Sequence, residues 1–71
     1  MDTRALCDTL RRMNWVHGRG DVTDIDTNAQ EVKVQKQYGT ESVRYHLGVS
    51  KAGAKTVTFR GRTRVIRGAG K

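Results

Sequence analysis

Proline is absent from the 71 residues, and cysteine occurs once, at Cys7. Without proline there is no rigid spacer to divide the chain, and no low-complexity tract does so either, which predicts a single domain over residues 1–71. One cysteine excludes an intrachain disulfide and leaves a zinc site short of ligands. A small fold without disulfides and with a free thiol fits a reducing, cytoplasmic setting. The opening residues Met1 to Asp8 hold no apolar stretch of the kind a secretory leader needs. No run approaches the roughly 18 apolar residues of a membrane span. Aromatic side chains are few, only Trp15, Tyr38, Tyr45 and Phe59. At this length a domain buries only about 60% of its unfolded surface, enough for one thin core and no deep pocket.

Acidic residues stop at Glu41. Residues 51–71 carry Lys51, Lys55, Arg60, Arg62, Arg64, Arg67 and Lys71 without an Asp or Glu, whereas the cations and acids of residues 1–50 balance. The net charge of +7 is therefore an excess of the last third. Such asymmetry speaks about partners and association rate, not about fold.

The segment 55–67 concentrates this charge in a strand pattern. Read as one extended stretch, it puts Val57, Phe59, Thr63 and Val65 on one face, and Thr56, Thr58, Arg60, Arg62 and Arg64 on the other. Gly61 reads as a bulge or bend between 56–60 and 63–67. Same-face residues lie roughly 6.6 Å apart, so the three arginines form a row of planar forks suited to phosphate.

Earlier in the chain, Leu6, Leu10 and Met13 at helical spacing predict a helix over 2–14, with Arg11 and Arg12 in its last turn and within reach of Asp8. Trp15 is expected to close that helix onto the body. Gly18, Arg19 and Gly20 make a turn in which Arg19 can meet a phosphate. Residues 22–25, 31–38 and 41–49 alternate as strands, the first two joined by Asp26-Thr-Asn-Ala. Residues 50–55 form a mobile basic loop and 68–71 a frayed tail. The fold class expected is α+β: a helix followed by a four- or five-stranded antiparallel sheet, including a small SH3-like half-open barrel as one form. The inward set is Leu6, Leu10, Met13, Trp15, Val22, Ile25, Val32, Val34, Val43, Tyr45, Leu47, Val57, Phe59 and Val65.

The sequence offers little to an enzyme. His17 and His46 are separated by two strands, and nothing groups a nucleophile, a base and an orienting residue. Asp21, Asp24 and Asp26 lack the spacing and closing glutamate of a calcium loop. No cofactor or metal is implied. The expected function is non-enzymatic nucleic-acid binding, DNA or RNA, through backbone contacts from Arg60, Arg62, Arg64 and Arg67, with Lys51, Lys55 and Arg19. The alternative is a small regulator, inhibitor or assembly subunit, of a viral or mobile-element kind, that docks an acidic protein surface. No membrane contact is expected, and either reading admits an oligomer.

Gly20-x-Val22-x-x-Ile25-Asp26 resembles the first signature of the Sm-like RNA-binding proteins, and Val65-Ile66-Arg67-Gly68 resembles the second. That resemblance implies a helix with five bent strands and places Asn28 and Arg67 nearest an RNA pocket. The chain departs from the pattern in three respects: no strand precedes Gly20, the asparagine is displaced relative to Asp26, and no apolar strand follows Gly68.

Overall fold

The computed structural model describes residues 3–17 and 20–66. The elements are α1 (Thr3–His17), β1 (Asp21–Asp26), β2 (Glu31–Lys36), β3 (Gly39–Val49), β4 (Lys55–Phe59) and β5 (Arg62–Val65). All five strands join one antiparallel sheet in the order β1-β2-β3-β4-β5, each paired with its neighbour in sequence. The described residues are thus α+β, one helix followed by an open five-stranded meander.

Turn chemistry accounts for each reversal. The Asp26 carboxylate accepts hydrogen bonds from the Asn28 and Ala29 amides at 2.9 and 3.0 Å, closing the β1–β2 turn. Lys36 pairs with Gly39, so Gln37 and Tyr38 form a two-residue tip between β2 and β3. The 50–54 connection, expected to be mobile, is a closed turn. Ser50 and Ala54 are joined by Ser50 N to Ala54 O at 2.8 Å and Ala54 N to Ser50 Oγ at 3.1 Å, and the Gly53 amide donates to Ser50 O at 2.9 Å.

Pairing also explains which side chains go inward. Val22 and Ile25 are three residues apart and would point to opposite faces of a regular strand. The register shifts between Val22 and Asp24, so Val22 pairs with Val34 and Ile25 with Val32, and both pack on the core. The core consists of Leu6, Leu10 and Met13 from α1 with Val32, Val34, Tyr45, Val57 and Phe59 from the sheet. Burying each such side chain contributes about 2 kcal/mol.

Three expectations for the core fail. Helix α1 runs past residue 14 to His17, because no helix breaker precedes Gly18. At 100° per residue, Trp15 then stands about 200° round from Met13, and it is 85% exposed. Leu47 and Val65 are exposed as well.

The third failure concerns the arginine strand. Arg60 and Gly61 have φ of 55° and 77°, the two positive values a type I′ turn requires. Segment 55–66 is therefore a hairpin, with Arg62 opposite Phe59, Thr63 opposite Thr58 and Arg64 opposite Val57. Directly opposed residues share a face. Arg62 and Arg64 leave the sheet on the core side, toward α1, while Thr63 bonds Thr58 at 2.8 Å on the far side. The row of three arginines on a face opposite Phe59 does not exist.

Candidate nucleic-acid interface

Helix α1 lies over the sheet with two different flanks. One flank, Thr9, Arg12, Met13 and Val16, faces Thr63, Arg64 and Val65 of β5 across a groove of about 560 Å³. Arg12 stands on the helical wall and Arg64 on the strand wall. Met13, Val16 and Val65 supply apolar surface between them. Arg62, the remaining cation of β5, is exposed, as are Lys55 at the start of β4 and Lys51 in the preceding turn. β5 ends the strand order, so its outer edge has no strand partner among the described residues.

The other flank, Arg11, Asn14 and Trp15, faces Gly20, Asp21 and Val22 at the start of β1. Here the helix end is tied to the sheet: Asn14 is buried, and its side-chain amide donates to the Gly20 carbonyl at 3.1 Å. Gly20 also borders a second shallow depression with Lys36, Gln37 and Tyr38.

Arg60 has a different place from the one its sequence pattern suggests. Its guanidinium bonds the Glu41 carboxylate at 3.0 Å and lies 5.3 Å from the centre of the Phe59 ring. Lys36 reaches the same carboxylate at 3.0 Å. Hydrogen bonds from Lys36 and then Arg60 hold the Glu41 carboxyl below the usual carboxylate range. Both bridges persist above the ordinary glutamate value and are lost only as pH falls through that lowered one. Arg60 therefore serves the turn.

A substitution separates these roles. Asparagine takes positive φ more readily than arginine, which offsets the loss of a partly buried ion pair and of the contact with the Phe59 ring. Arg60→Asn is expected to leave the thermal midpoint nearly unchanged and nucleic-acid affinity within about twofold of the parent, in keeping with a cation engaged elsewhere. A tenfold loss of affinity would return Arg60 to the site.

The structure thus brings Arg64 together with Arg12, leaves Arg62 exposed on the same strand, and moves Arg60 away. Lys51 and Lys55 stay exposed, and Arg19 and Arg67 lie outside the described residues. No ion pair joins Asp8 to Arg11 or Arg12 among the described residues. His46 is exposed and paired with Thr58 across the sheet. Asn28 sits in the β1–β2 turn. The sequence reading did not place Arg12 among the site residues, and it put the exposed Trp15 in the core. Continuing the helical wheel two residues beyond Met13 would have found Trp15.

No known family, no curated protein and no solved structure matches this chain.

Proposed function

We propose that the chain binds nucleic acid without chemistry, holding phosphates in and beside the groove between α1 and β5. The observation that carries this reading is the presence of Arg12 and Arg64 on facing walls of one groove, with Arg62, Lys55 and Lys51 on the same acid-free part of the sequence. Guanidinium forks on two walls can grip a phosphate chain from both sides. The apolar floor suits sugars and bases.

A half-open barrel is part of the same proposal. Helix α1 touches β1 on one side and β4 on the other, and its groove with β5 marks the gap such a barrel would leave.

Salt dependence tests the reading. Four to five phosphate contacts with a single strand give a slope of log K against log salt of about −3. Fluorescence anisotropy with labelled DNA and RNA at several salt concentrations measures it. Weak binding with a shallow slope would instead favour the second reading, for which the edge of β5, without a strand partner among the described residues, is the specific support: an acidic extended segment of a protein adding to the sheet beside Arg62 and Arg64.

A further inference from the structure

Two of the four aromatic side chains are spent on the surface. Trp15 is 85% and Tyr38 91% exposed, although a protein of this size has little apolar area to spare for its core. They come from different elements, the end of α1 and the tip of the β2–β3 hairpin. Both nevertheless border the same backbone position, since the depression beside Trp15 and the one beside Tyr38 share Gly20.

Their surroundings are graded in charge. Arg11 and Arg12 precede Trp15 by four and three residues, which places both beside it on the helix surface. Arg12 is also a wall of the β5 groove. Asp21 lies on the β1 side of Trp15 and repels phosphate there. Lys36, beside Tyr38, is engaged by Glu41. A phosphate chain entering by the groove is thus guided past Arg12 to the edge of Trp15, where cations give way to aromatic surface.

From this, and resting on the nucleic-acid reading above, we infer that the ligand is single-stranded and that its bases stack on Trp15 and Tyr38 while its phosphates follow Arg64 and Arg12. A duplex keeps its base faces stacked inside and presents only edges and phosphates to a protein. Exposed aromatic faces next to a basic groove are useful to unpaired bases, and the binding is tolerant of sequence because every base has such a face.

Trp15 is the only tryptophan, so its fluorescence reports occupancy of its own ring. The parent protein is titrated with oligo(dT), oligo(U), a duplex of equal phosphate number, and heparin, which has charge and no bases. Expected are quenching by the single strands, at least tenfold tighter binding of a single strand than of the duplex, and no quenching by heparin. Trp15→Ala and Tyr38→Ala, followed by anisotropy of labelled oligonucleotides, should each weaken single-strand binding about tenfold while leaving duplex affinity and the salt slope unchanged. Trp15→Phe should recover most of the loss. Both positions are exposed, so the variants fold. Equal, salt-steep binding of single and double strands, unmoved by either substitution, overturns stacking and leaves phosphate binding standing. Absence of binding to every nucleic acid overturns both.

Discussion

Replacing Arg12, Arg62 and Arg64 together by glutamate should lower nucleic-acid affinity at least about 100-fold while the circular-dichroism spectrum stays that of the parent. Three phosphate contacts account for roughly two units of the single-strand salt slope, and the reversed charges add repulsion where there was attraction. The spectrum should survive because all three side chains are exposed and the core of Leu10, Val32, Val34, Val57 and Phe59 is untouched. A milder set with glutamine at the same positions keeps the test informative if Arg64, which faces α1, proves sensitive to reversal. In that set the slope should flatten by about two units. A parent-like slope in a folded glutamine variant would place the phosphate contacts elsewhere.

Gly20→Ala should be the most disruptive alanine substitution among the described glycines. Gly20 has φ of +97°, and a Cβ built there would stand 2.9 Å from Val34 Cγ1 and closer still to the Gln35 carbonyl oxygen. The carbonyl belongs to β2 and cannot move without disturbing the pairing with β1 and β3. Backbone strain of about 1–3 kcal/mol and forced overpacking of similar size together approach 3–4 kcal/mol. A domain of this length has a total stability of roughly 4–10 kcal/mol. The thermal midpoint should fall by about 15 °C or more. Gly39→Ala is the matched control: its φ is +120°, yet an added Cβ meets nothing within 4 Å, so it should cost only the strain. If the two variants melt together, the close approach at Gly20 is unimportant. Because Gly20 also receives the Asn14 hydrogen bond and borders both aromatic depressions, the Ala variant should lose the geometry of that ledge even at temperatures where it remains folded.

The sheet was largely legible because its alternation is regular. Val32 and Val34, or Val43 and Tyr45, can face only one way once Asp26-Thr-Asn-Ala and Gly39 are read as reversals. The last hairpin was legible only in part: Gly61 marked a bend between 56–60 and 63–67, close to the observed strands, but the full reversal is written Arg60-Gly61. Asparagine or aspartate normally advertises the first position of such a turn, and arginine there conceals it. Treating 55–67 as continuous kept the alternation running through the turn and so assigned Arg62 and Arg64 to the wrong face. The groove is illegible for another reason. Its walls, 9–16 and 63–65, are nearly the whole chain apart, and only the position of α1 across the sheet brings them together. Charge composition shows the basic third of the sequence but carries no geometry that would set Arg64 opposite Arg12.

The strand order has a bearing on how the molecule forms. Every sheet partner is the next strand along, and β3 gives residues 39–44 to β2 and residues 45–49 to β4. Each hairpin closes a short loop, so ordering the sheet carries little entropic barrier and depends on one shared strand. The step that joins distant sequence is the docking of α1, where Leu6, Leu10 and Met13 meet Val57 and Phe59. This order predicts a transition state centred on β3 and its neighbours, so that Val43→Ala in β3 should slow folding more than Leu6→Ala in α1, as a φ-value comparison would measure. Without proline, no isomerisation delays either step.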